Sequence, residues 1–234
     1  MNFSFGIISH GSNYGHLNNL IKSINIQNIE NSEIIIVGDI NKYKILNKKN
    51  IKFIEFEENI KPGWITKKKN LVTQNSKFEN IVYMHDYLVL TKDWYKGYIK
   101  FGNRFDIIMN RIVNPNNKRY RDWTLWPHNE CTVDQVIKEN DCLLPYNVLD
   151  LSKYMYISGA YWVAKQNVMK EFPLDENLVW GEGEDVEWSK RIREKYEFSF
   201  NKYSKVKLQK EKNPEFKKIS KKQLKKVYEV INDI

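Results

Sequence analysis

Cysteine is scarce: Cys131 and Cys142 are the only two in 234 residues. Without CxxC spacing they make neither a metal knuckle nor a disulfide framework, which points to a reducing compartment. Long apolar runs are missing too. No segment approaches the roughly 20 apolar residues that a membrane-spanning helix needs. Met1 to Gly11 carries no basic segment ahead of a long apolar run, so no secretory signal is read there. These absences predict a soluble, cytoplasmic protein.

Aromatic residues are plentiful instead. Seven Trp and fourteen Tyr belong to a chain that is 41% hydrophobic, enough for one large domain with a buried core. Some rings are expected to fill that core and others to stack on a base or a sugar. The net charge is +9, from 38 Lys and Arg against 29 Asp and Glu. The excess gathers at Lys67-Lys68-Lys69 and between Lys202 and Lys226. A basic balance suits nucleic acid, an anionic membrane or a phosphorylated ligand. The acidic segment from Glu182 to Glu187 argues against nucleic acid, which asks for one continuous basic face.

Along the first half, apolar runs alternate with helical periodicity. Phe3 to Ser9, Glu33 to Val37, Ile51 to Phe56 and Ile81 to Met84 read as strands. Tyr14 to Gln27 and Thr66 to Ser76 read as helices between them. This order predicts an α/β fold with a mostly parallel central sheet, flanked by helices and carrying ligand loops at the strand C-termini. Asn114 to Arg121 has turn chemistry and no periodicity, so a long loop is expected, placed to close over a ligand. Gln166 to Glu171 and Glu184 to Lys195 read as helices, and Phe198 to Val206 as a strand. Leu224, Val227, Tyr228 and Ile231 form one stripe of a closing helix, about 218–233. Its lysines at 221, 222, 225 and 226 face water in the plain reading; peripheral contact with an anionic membrane is the other.

Three features sit where a parallel sheet would hold a site. Gly181-Glu182-Gly183-Glu184-Asp185-Val186-Glu187 follows Trp180 and packs four acids into six residues at a helix start. A lone acid there is usually a cap, but crowded carboxylates raise one another's pKa and suit a general base. His85-Asp86 follows an apolar strand, and one Asp with one His can hold a divalent cation. Ser9-His10-Gly11 and Gly38-Asp39 end two neighbouring strands, where acids often meet a base or ribose.

Taken in order, these segments resemble GT-A glycosyltransferases, especially the inverting family 2 group and relatives with a Trp-Gly-x-Gly-Glu-Asp segment. Phe5 to His10 is similar to the family's nucleotide loop, Glu33 to Asp39 to its base-contacting strand, and Ile81 to Asp86 to its Asp-x-Asp strand. Tyr156 to Ala160 is similar to its acceptor-side Ser-Gly-Gly stretch, and Trp180 to Arg191 to its Glu-Asp segment. The resemblance covers about Phe3 to Tyr203 and implies inverting transfer of a sugar from a nucleotide sugar to a glycan or other hydroxyl acceptor. It implies Asp185 as base with Glu184 second, and a donor site at Ser9, His10, Asp39, Lys67 and Asn70. Gly159, Trp162 and Trp180 would meet the sugars, and Mn²⁺ or Mg²⁺ would sit on Asp86 and His85. The chain departs from the pattern at His85-Asp86-Tyr87, which has one carboxylate, and it lacks a His between Phe198 and Gln209. If no cation binds, Lys67 to Lys69 are the candidates to neutralise the leaving group. A non-catalytic nucleotide- or glycan-binding domain of the same fold is the alternative. A sugar nucleotidylyltransferase is disfavoured, because Ile8 to Asn13 contains no Arg or Lys.

Overall fold

A computed structural model describes residues 1–11, 13–39, 50–125, 146–147 and 155–212. The two cysteines and the expected 218–233 helix lie outside them. Among the described residues, no helix is long and apolar enough to cross a membrane.

Eight strands form one sheet. Its parallel half is β1 (Phe3–Ile8), β2 (Ser32–Gly38), β3 (Ile51–Glu55) and β4 (Asn80–His85). The other strands are β5 (Leu88–Leu90), β6 (Ile107–Val113), β9 (Tyr161–Lys165) and β10 (Phe198–Leu208), in the spatial order β3-β2-β1-β4-β9-β6-β10-β5. A separate pair joins β7 (Thr124–Leu125) and β8 (Met155–Tyr156). All six residues of β1 are buried, the pattern of a strand covered on both faces. The helices are α1 (Tyr14–Asn25), α2 (Ile65–Asn75), α3 (Trp94–Phe101), α4 (Gln166–Glu171) and α5 (Glu184–Ile192).

Alternation along β1 places helices on both sides. Phe3 and Phe5 point to one face, where Trp94 of α3 meets them at centroid distances of 5.2 and 5.5 Å. Gly6 points to the other, where a Cβ would stand 2.2 Å from a Val72 methyl of α2. Only glycine permits that approach. α1 starts at Asn13, whose side chain accepts from the His16 N–H, and its buried Leu17, Leu20, Ile21 and Ile24 make the expected stripe.

Strand order reverses at β1: the chain moves outward to β2 and β3, then returns to place β4 on β1's other side. Such a switch point opens a crevice at the strand C-termini. β9 then inserts antiparallel between β4 and β6, an arrangement that hydrophobic pattern alone does not reveal.

Candidate active site

Strand ends of the parallel half meet at that switch point. The register sets Ile8 beside both Val37 and His85, so β1 runs into Ser9 and His10, β2 into Asp39 and β4 into Asp86 along one edge. The Ser9 hydroxyl bonds to the Asp86 carboxylate. The Ser9 carbonyl accepts from the buried Lys68 ammonium at 2.9 Å, and Lys68 also pairs with Glu58. The first and fourth strand ends are thereby tied together. His10 stands outward with its ring 3.5 Å from the Glu58 carboxylate, and Asp39 is half-buried at the end of β2.

The acidic segment joins this edge through Gly159. Gly181 and Gly183 have φ of 83° and 80°, a left-handed backbone that lets the chain turn directly into α5. Asp185 then accepts the Gly159 N–H at 2.9 Å on one carboxylate oxygen and its neighbour's N–H, from Val186, at 3.0 Å on the other. The Gly159 carbonyl accepts from Lys69 at 3.1 Å. A Cβ on Gly159 would lie 2.9 Å from Asp185 Oδ2 and 3.2 Å from Glu184 Oε1, so the bare backbone is what lets both carboxylates close in.

These three charges are interdependent. Burial lowers the Lys69 pKa, while Glu184 and Asp185 oppose the fall. Burial raises Glu184, pushed up to about 8, and Asp185 adds to it by like-charge repulsion. Burial raises Asp185 as well, and Lys69 and the Gly159 N–H offset part of that rise. Glu184 is buried and Asp185 half-buried. The favoured state has Lys69 protonated, Asp185 ionised and Glu184 neutral, which leaves no net charge in the triad.

A stability prediction follows. The folded chain holds the Glu184 proton at pH values where the unfolded chain has released it, so it binds more protons between the ordinary carboxylate range and about pH 8. Stability therefore falls as pH rises through that window. Glu184→Gln mimics the neutral form, so its stability relative to wild type should rise by roughly 4 kcal/mol between about pH 5 and about pH 8. Urea denaturation at both pH values checks this; a constant difference would contradict it.

The sequence marks Arg119 and Arg121 as able to reach phosphates and Lys202 to Lys226 as a basic stretch, but does not single out Lys210 and Lys212, which lie near Asp86. Lys212 lies with its ammonium 3.7 Å from the Tyr87 ring centroid, and Lys210 with its own at 5.0 Å. Burial, Lys210 and Arg121 push the Lys212 pKa down to about 8. Arg121 also acts on Asp185 and Tyr87. The His85 imidazole reports the same positive field. Burial and then Lys69, Lys212 and Lys68 hold its pKa well below the usual value, so it stays neutral. Asp86 is raised chiefly by burial, against the Ser9 hydroxyl and nearby cations.

Other expected site residues are placed elsewhere. Lys67 pairs with Glu176 at 2.9 Å, and Asn70 is buried, donating to Leu174 O and Glu176 and accepting the Leu174 N–H. Both pin the 174–176 segment. Trp162 is fully buried, stacked on Tyr83 at 4.6 Å, so no sugar reaches its ring; it supports Lys69, whose ammonium is 4.5 Å from its centroid. Two arginines of the 114–121 loop and the 180–191 segment are also paired, Arg119 with Asp122 at 2.7 Å and Arg191 with Glu187 at 2.6 Å. Trp180 is 65% exposed; its backbone N–H donates to Gly63 O at 2.9 Å, and its ring remains open to a ligand.

No protein-family model matches the sequence, and no curated protein matches it. Solved structures do. GalNAc-T7 with UDP, GalNAc and Mn²⁺ is 15% identical with a TM-score of 0.62, over 99% of this chain and 48% of that one. S. aureus TarS 1–349 with UDP is 16% identical with a TM-score of 0.61, over 99% of this chain and 64% of that one. The same TarS fragment with UDP-GlcNAc is 17% identical at a TM-score of 0.61, over 98% and 64%. This chain thus spans about half to two thirds of the length of these structures. At such identities the likeness establishes the fold alone. Nothing in it singles out the inverting family 2 group. The fold is that of GT-A glycosyltransferases.

Proposed function

We infer that the chain is a nucleotide-sugar-dependent glycosyltransferase that moves a sugar onto a hydroxyl acceptor with inversion. The observation that carries this reading is the coupled pair Glu184–Asp185, clamped on Gly159 beside a crevice at the sheet's switch point. The fold adds support, since matching structures hold UDP or UDP-GlcNAc.

In the transfer, an acceptor oxygen forms a bond to the anomeric carbon. The bond from that carbon to the diphosphate oxygen breaks, and its electron pair leaves with the diphosphate. The acceptor proton passes to the Asp185 carboxylate. Glu184 holds its own proton, and Lys69 keeps Asp185 ionised in a partly dry site. Trp180 offers a flat apolar face to a sugar. Asp39, at the end of β2, meets the base or ribose.

The resemblance assigns neutralisation of the diphosphate to Mn²⁺ or Mg²⁺ on Asp86 and His85. These residues fit a divalent cation poorly. One is a single carboxylate already bonded to Ser9, and the other is an imidazole surrounded by lysine charge. Among the described residues, no three His, Cys, Asp or Glu side chains are grouped to hold a metal. Hard cations of this kind prefer several oxygens.

A panel of nucleotide sugars scored by thermal shift tests the reading. A donor at about 100 times its dissociation constant should stabilise the fold by ~2.7 kcal/mol. No shift with any donor would sink it. Asp39→Ala should weaken binding of the active nucleotide about tenfold while leaving the melting temperature of the free protein unchanged. An unchanged calorimetric dissociation constant would remove Asp39 from the site.

A further inference from the structure

Lys212 follows the long β10 strand, yet its backbone is held firmly. The side chain of the buried Asn114 donates to Lys212 O at 2.8 Å and accepts Lys212 N–H at 2.8 Å. Gln209, three residues earlier, has its N–H on Tyr87 O at 2.8 Å and its side-chain amide on the carbonyls of Asp86 and Leu88. The lysines at 210 and 212 are thereby fixed over the Tyr87 ring, beside the strand end that carries His85 and Asp86. The loop that begins at Asn114 also brings Arg121 into electrostatic reach of Lys212 and Asp185. Among the described residues, neither Lys210 nor Lys212 has a carboxylate within ion-pair distance. Like charges gathered this closely repel, and an anion seated among them relieves that repulsion.

We propose that Lys210, Lys212 and Arg121 form a diphosphate clamp that neutralises the leaving group in place of a divalent cation. Lys210 and Lys212 are in electrostatic reach of the Asp86 carboxylate, which the Ser9 hydroxyl holds, and Arg121 is in reach of Asp185. A diphosphate seated over Tyr87 meets ammonium and guanidinium groups whose positions are set by Asn114 and Gln209 before it arrives. Charge that grows on the diphosphate oxygen as the sugar departs is then met by groups needing no rearrangement. The function this serves rests on the glycosyltransferase reading, but the clamp itself is defined by its ligand.

Inorganic pyrophosphate separates the two. In calorimetry with a chelator present, pyrophosphate should bind the wild-type protein, and Lys212→Met should weaken it about tenfold. Lys210→Met should weaken it less, because Lys210 is exposed. Asn114→Ala, which keeps every cation but frees the Lys212 backbone, should also weaken it. Melting temperatures without ligand report whether each variant is folded, and Lys212→Arg should restore binding if Lys212→Met is unstable. UDP, GDP, CDP, ADP and dTDP are titrated in parallel with chelator and with Mn²⁺. Pyrophosphate or nucleotide binding that requires Mn²⁺, or binding in chelator that Lys212→Met leaves unchanged, overturns the clamp and leaves the glycosyltransferase reading standing. Chelator-resistant, Lys212-dependent pyrophosphate binding without affinity for any nucleotide supports the clamp and removes that reading.

Discussion

Asp185→Asn is expected to lower sugar transfer by roughly 10²–10⁴-fold, the usual worth of a positioned general base, while donor binding persists. Its two carboxylate oxygens are fixed by backbone N–H groups of Gly159 and Val186 at 2.9 and 3.0 Å. An amide of the same shape keeps the local geometry with one oxygen but cannot accept a proton at working pH. Glu184 does not replace it, because burial and its neighbour hold it protonated. Initial rates of nucleoside diphosphate release, with and without acceptor, measure the effect. A near wild-type rate would move the base assignment to Glu184. Loss of donor binding along with the rate would instead make Asp185 a structural residue.

Asp122→Ala should cost about 3–5 kcal/mol of stability, the range for stripping one partner from a buried charge pair. Asp122 is fully buried and is the hub of the 114–125 segment. One oxygen accepts from Arg119 Nε and Nη2 at 3.0 and 2.7 Å and from Trp123 N–H at 2.8 Å. The other accepts from Ile112 N–H at 3.1 Å and the Tyr146 hydroxyl at 2.6 Å. Alanine leaves those donors buried and Arg119 without its counter-charge. Since the same segment carries Arg121, activity should fall even at temperatures where the variant is folded. Denaturant titration gives the first number; a loss below about 1 kcal/mol would mean that water or another acceptor takes over.

The parallel half of the fold was legible because each strand is an apolar run closed by polar residues. Ser9, Asp39 and Asp86 could be placed at one edge once parallel order was assumed. The resemblance gave Gly159 and Asp185 separate roles, and their contact across 26 residues was not legible. Three consecutive lysines defeated the reading of α2. Each step around a helix turns about 100°, so a run of identical residues does not say which member faces the site. Lys68 and Lys69 turn inward, while Lys67 turns toward Glu176. Trp162 was misjudged because β9, covered on both faces, buries alternate residues alike. The cation cluster left only a basic stretch and a loop arginine in the sequence, with nothing to join them. It depends on Asn114 meeting Lys212 across 98 residues, a contact that no periodicity encodes.

The most direct test of the account joins donor recognition to the proposed base in one assay. Wild-type protein and Asp185→Asn are each incubated with a panel of nucleotide sugars and a mixture of hydroxyl acceptors, and nucleoside diphosphate release is followed alongside the thermal shift. One donor is expected to shift both proteins equally but to be turned over by the wild type alone. Equal turnover by both proteins, or neither shift nor turnover with any donor, would contradict it.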